Sequence, residues 1–288
     1  MLAAAWKLLV ETTLSFIDDE ALSRGAAIAF YAVTSLAPVL LIVIAIAGLV
    51  IGREAAQDAI SAQFSGLMGK QAADVLQSAI AGASAKSSGL LATVSGIVML
   101  IAAGSGVFAE MQAALNTIWR SRGREMALSR LIRARITSLG FVAALGFLLV
   151  VSLVVSAGLT AFSDYLNRMP FDMLILSGLN FAVSWLLFAL LFGAIYKMLP
   201  DRTLQWEDVI VGALMTSLLF NIGKTLIGWY IGSSAVASSY GAAGGLIVLL
   251  LWIYYSTQIF LFGAEFTKAY ANAHGSKRRN PIGASGRV

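Results

Sequence analysis

The chain has 288 residues, 59% of them hydrophobic and 12% charged, with no cysteine and a single histidine. A soluble domain carries roughly 25% Asp, Glu, Lys and Arg, so a complement half that size excludes a soluble globule of this length. Without cysteine there is no disulfide framework, no thiolate metal site and no cysteine nucleophile, and the net charge of +5 matters less than where its charges lie.

In chain order, Trp6, Leu9, Val10, Thr13, Leu14 and Ile17 recur at helical spacing and predict an amphipathic helix on the inner membrane surface, within a cytoplasmic segment over residues 1–24. With Lys7 as its sole positive charge and no small-residue cleavage pattern, Met1 to Phe16 is not read as a signal peptide. A bilayer core about 30 Å thick takes about 20 apolar residues of helix. The uncharged run Gly25 to Gly52 meets that requirement first, and Pro38 at mid-span predicts a kink, because proline deletes a backbone hydrogen bond.

Residues 53–86 follow, with Ile60, Phe64, Leu67, Met68, Leu76 and Ile80 on a helical period and Gly66 and Gly69 dividing the stretch in two. They read as an external amphipathic cap, a gate over a cavity being the alternative. Further spans are predicted at Ser87 to Ala109, Ile136 to Ser163 and Met173 to Tyr196. The run from Thr225 to Ala264 is too long for one helix and contains the Gly/Ser-rich stretch Ile231 to Gly241, a turn signal. Splitting it there gives Val209 to Ile231 and Ala242 to Phe262. The expected fold class is therefore all-α: a polytopic membrane protein with six transmembrane helices over residues 25–266, plus short amphipathic interfacial helices. A basic, disordered cytoplasmic tail is expected over 267–288.

Positive residues are retained in the cytoplasm. Fifteen of the 20 Lys and Arg fall on one side of this layout and four on the other, with Lys224 inside a span. Both termini are predicted cytoplasmic, in a multi-pass membrane protein. The loop from Arg120 to Arg135 holds six arginines and one acid, Glu125; it reads as topogenic rather than as an RNA-binding patch.

The run Arg24-Gly-Ala-Ala-Ile-Ala-Phe-Tyr-Ala-Val-Thr-Ser-Leu-Ala-Pro38 stands in order with Asn116-Thr-Ile-Trp119, Leu199-Pro-Asp201, Tyr240-Gly241, Leu251-Trp-Ile-Tyr254 and Gly263-Ala-Glu265. In this set the chain resembles the YihY/BrkB family of bacterial inner-membrane proteins, from the first helix to the end of the sixth. The resemblance implies a six-helix inner-membrane protein, linked to serum resistance and envelope lipid traffic. It also implies that the family's former label of ribonuclease BN is a misassignment.

Ionisable side chains inside a membrane are costly unless paired, so each is a candidate for function. Arg24, Glu110 and Glu265 fall in one layer at the inner ends of three spans and predict an ion cluster, structural in the first reading and a proton or cation relay in the second. Lys224 lies about 10 Å from the outer end of its span. Asn221 shares its helix face, and Asn180 is expected at a comparable level. These three predict an interior polar site for a phosphate or carboxylate. The competing reading has Lys224 snorkelling to outer headgroups while the asparagines join helices. Gly241-Ala-Ala-Gly244-Gly245 reads as a close helix-packing surface, and Trp119, Trp206, Trp229, Tyr230 and Tyr254 as an aromatic belt.

Hydrolysis needs a metal cluster, a nucleophile with its base, or paired carboxylates at a polar substrate. His274 stands alone in the tail and the cytoplasmic acids are scattered. The chain is accordingly read as no enzyme, with no cofactor, no metal and no nucleic-acid partner. Its expected function is to move or accommodate an anionic envelope lipid or similar amphiphile; the alternative is a non-transporting membrane scaffold. Membrane lipids are the expected partners, with a homo-oligomer or an envelope protein left open.

Overall fold

The computed structural model describes residues 2–68, 70–85, 106–121, 172–233 and 243–274. Outside them lie the second span over residues 87–105, the whole third span, the basic loop beyond Ser121, the Gly/Ser segment 234–242 and the tail after His274. The side chains of Pro38 and Asn180 lie outside them as well.

Every regular element among the described residues is a helix: α1 (Leu2–Asp18), α2 (Ala21–Ile51), α3 (Arg53–Met68), α4 (Lys70–Ala85), α5 (106–118), α6 (Asp172–Met198), α7 (Trp206–Ser233) and α8 (Gly244–Ala273). Three contain stretches long and apolar enough to cross a bilayer: Phe181–Met198, Trp206–Ile231 and Gly244–Ala273. The uncharged runs dictate this, since in hydrocarbon a backbone must satisfy its own N–H and C=O groups, and a helix does so within one segment.

Local chemistry sets the helix ends. Lys197 stands in the last turn of α6 and Glu207 and Asp208 in the first turn of α7, each of the sign that the helix dipole favours there. Pro200, two residues past α6, cannot extend the helix. The turn from α1 into α2 is sharp because Glu20 adopts a left-handed conformation, φ 54°. That conformation costs a non-glycine residue about 1–2 kcal/mol, and the Glu20 side chain makes no capping hydrogen bond in return. Glu20→Gly is therefore expected to raise stability by up to about 1 kcal/mol after glycine's entropy loss, read as a higher melting temperature of the purified protein in detergent.

The main core joins α2, α5, α6, α7 and α8 around Ile28, Leu115, Trp119, Tyr196, Val248 and Leu261. A second cluster packs α3 and α4 onto α2 through Leu40, Val43, Ile44, Ile60, Leu76 and Ile80. α2 runs as one helix through Pro38. Trp119 is 2% exposed and belongs to the core, not to an aromatic belt. It ends α5 beneath the turn after α6, where Arg202 donates to its carbonyl at 3.0 Å. Trp206, Trp229 and Tyr230 are exposed, consistent with a belt.

α7 and α8 cross through a reciprocal pair of Gly-x-x-x-Thr steps. A Cβ on Gly212 would strike the Thr267 side chain, and one on Gly263 would strike Thr216 Oγ1 and lie 2.7 Å from the Tyr196 hydroxyl. Each threonine hydroxyl is satisfied by its own helix, Thr216 donating to the Gly212 carbonyl at 2.7 Å and Thr267 to that of Gly263 at 2.6 Å. Small residues at four-residue spacing let helix backbones approach where lipid supplies no hydrophobic drive.

Candidate functional site

Lys224 lies on the α6-facing side of α7. Its ammonium sits 5.6 Å from the centroid of the Phe188 ring. Phe188 is sixteen residues after the start of α6 and ten before its end, so the charge rests beside the middle turns of that helix. The direction follows from helix geometry: side chains lean toward the N-terminal end of their own helix, which carries this stem away from the Ser233 end. Among the described residues the ammonium has no carboxylate partner; the ring face is its contact, worth about 0.5–2 kcal/mol.

Asn221, one turn earlier on the same face, is 3% exposed. Its amide nitrogen donates to the Ser217 carbonyl at 2.9 Å, leaving Oδ1 buried with no donor among the described residues. Ser217 in turn donates to the Trp185 carbonyl at 2.5 Å, and Trp185 Nε1 to the Leu214 carbonyl at 3.1 Å, so α6 and α7 are tied on the very face that carries Lys224. Asn180 lies in α6, eight residues before Phe188. Phe188 also opens an aromatic cluster the sequence reading passed over: its ring centroid is 4.7 Å from that of Phe220, which meets Trp252 at 6.3 Å.

A cavity of about 190 Å³ opens between α7 and α8, lined by Leu219, Ile222 and Gly223 with Tyr255, Ile259 and Phe262. It is apolar, and Lys224 is not among its walls; the residue projects toward α6 instead.

At the other end of the bundle the expected ion cluster resolves into two groups. Arg24 faces Glu110 at 3.8 Å and donates through Nε to the Asp19 carbonyl at 3.2 Å. Glu265 pairs with Lys268 at 3.0 Å, and Lys268 also reaches Asp19 at 3.1 Å. Lys268 and Asp19 were not singled out from the sequence, although Lys268 stands three residues from Glu265 and so on its face.

Two of the sequence motifs meet. Asp201 accepts from Gln112 at 3.0 Å and from Asn116 at 2.7 Å, while its own N–H donates to Asn116 Oδ1 at 2.9 Å. Asn116 Oδ1 also accepts from Ser121 at 2.8 Å. The end of α5 is thereby fastened to the turn between α6 and α7. Among the described residues no group of three His, Cys, Asp or Glu side chains is placed to hold a metal ion.

The sequence model of the family described as virulence factor BrkB matches residues 13–285. Among curated proteins, the chain is similar to a UPF0761 membrane protein of Mannheimia succiniciproducens, 30% identical over 173 residues, covering 60% of this chain and 58% of the relative. A UPF0761 membrane protein of Tolumonas auensis is 31% identical over 177 residues, 60% of this chain and 55% of the relative. A third, from Pseudoalteromonas translucida, is 29% identical over 254 residues, 87% of this chain and 81% of the relative. The chain thus spans little more than half the length of the first two. No solved structure matches it.

Proposed function

The chain belongs to the BrkB family of membrane proteins, and from that premise we propose that it accommodates or moves an anionic envelope lipid or similar amphiphile, with Lys224 contacting the headgroup. In this reading six helices cross the bacterial inner membrane with both termini in the cytoplasm, and the protein works as a binder or carrier rather than an enzyme. One observation carries it: an ammonium beside the middle turns of an apolar helix, resting on a ring face, with no carboxylate partner among the described residues. An ion at that depth is costly, and an anionic headgroup is what would neutralise it. Asn221 Oδ1, buried one turn away without a donor among the described residues, adds an acceptor for a hydroxyl or ammonium on the same headgroup.

The test is translocation of a fluorescent anionic lipid in proteoliposomes, wild type against Lys224→Ala. Removing a charge-assisted contact costs about 1.5–3 kcal/mol, so the rate is expected to fall about tenfold or more. Equal rates in the two proteins, or no transport by either, would remove the reading. A second reading, a scaffold that gathers partners without transporting, is favoured by the apolar cavity that Lys224 does not line; absence of transport by both proteins is its expected result.

A further inference from the structure

A group of charges independent of Lys224 gathers where α1 turns into α2 beside the last turns of α8. Lys268 Nζ donates to Asp19 Oδ2 at 3.1 Å and to Glu265 Oε2 at 3.0 Å. Access to these three is graded. The Glu265 side chain is 0% exposed, while those of Asp19 and Lys268 are 11% and 12% exposed. The second oxygen of Glu265, Oε1, is buried and accepts from no donor among the described residues. The Glu265 and Asp19 carboxyls converge on the same ammonium, each with one oxygen about 3 Å from Lys268 Nζ.

The surrounding charges do not relieve this arrangement. Arg24 of α2 is engaged with Glu110 of α5 and with the Asp19 carbonyl. Asp18 and Glu20 at the same turn are exposed. On the opposite face of α8, the Tyr196 hydroxyl of α6 donates to the Phe260 carbonyl at 2.7 Å and lies 3.1 Å from Thr216 Oγ1. Asp19, Glu265 and Lys268 therefore carry a net charge of −1 when both carboxyls are ionised, at a place where an uncompensated charge is costly.

We propose that Asp19, Glu265 and Lys268 form a proton-binding site: the trio takes up one proton from water at its Asp19 and Lys268 edge, holds it between the two carboxyls, and releases it by the same route. The charge balance is simple. One proton takes the trio from −1 to neutral. With the proton on Glu265 Oε2, that hydroxyl donates to Asp19 and still accepts from Lys268. Oε1 becomes a neutral carbonyl oxygen, for which a missing donor costs far less than for a carboxylate oxygen. Because Asp19 closes α1 and Lys268 stands on α8, proton occupancy sets whether Lys268 is held by one anion or by two, and so how firmly the α1–α2 turn is held on α8. This goes beyond the headgroup reading and does not need it, for it uses no residue of the Lys224 site.

The experiment is infrared difference spectroscopy of the full chain in lipid vesicles across an acid-to-alkaline titration. Wild type is expected to show a protonated-carboxyl carbonyl band that appears on acidification. That band should be lost in Glu265→Gln and displaced in frequency in Asp19→Asn, where the hydroxyl's acceptor changes from carboxylate to amide. A band unchanged in Glu265→Gln overturns the proposal. Should Glu265→Gln fail to fold, Asp19→Asn decides, since it alters only the partly exposed partner; an undisplaced band there overturns it equally.

Discussion

Gly263→Val is expected to destabilise the protein by about 3 kcal/mol or more, beyond the usual cost of overpacking a core by one or two methyl groups. The added Cβ has nowhere to go, because Thr216 Oγ1 and the Tyr196 hydroxyl already occupy its position and both belong to hydrogen bonds that fix them. Displacing Tyr196 would strand its buried hydroxyl. The loss should appear as a lowered melting temperature in detergent. Thr216→Ala should restore part of it in the double variant, because the two residues share one contact and their effects are not additive. Full additivity would show that the α7–α8 crossing is looser than described.

Asp201→Ala is expected to cost about 2 kcal/mol. Its carboxylate accepts from Gln112 and Asn116, and hydrogen bonds to a charged acceptor are worth about 1.5–3 kcal/mol when shielded; Asp201 is exposed, which lowers the sum. A double-mutant cycle with Asn116→Ala should return a coupling of about 1 kcal/mol or more, and Asp201→Asn, which keeps one acceptor, about half the loss. A cycle that returns no coupling would mean that α5 is held to the α6–α7 turn by apolar contacts alone.

The helical character of α6, α7 and α8, and a length and apolarity sufficient to cross a bilayer, were legible because hydrocarbon imposes long uncharged runs, and such runs survive in one dimension. The shared face of Asn221 and Lys224 follows from helical spacing, but that the Lys224 stem would lie on Phe188 depends on how α6 and α7 are placed together, and spacing within one helix carries nothing about that. The same limit hid the larger joints. Asn116 and Asp201 stand in two motifs noticed separately, 85 residues apart. Asp19 and Lys268 are 249 residues apart. Gly212-x-x-x-Thr216 and Gly263-x-x-x-Thr267 carry a visible small-residue signal, yet which step meets which is decided only by the crossing. Trp119 shows the opposite failure: a tryptophan at a predicted boundary suits a belt, whereas the ring joins the core cluster that also holds Leu199, and Arg202 binds its carbonyl.

The central claim, that Lys224 holds an anionic headgroup, is met most directly by native mass spectrometry of the protein released from membranes of mixed phosphatidylglycerol and phosphatidylcholine. Wild type is predicted to retain the anionic lipid in preference to the zwitterionic one, and Lys224→Met, which keeps the apolar stem on Phe188 and removes the charge, to lose that preference. An anionic preference of the same size in Lys224→Met would contradict the account.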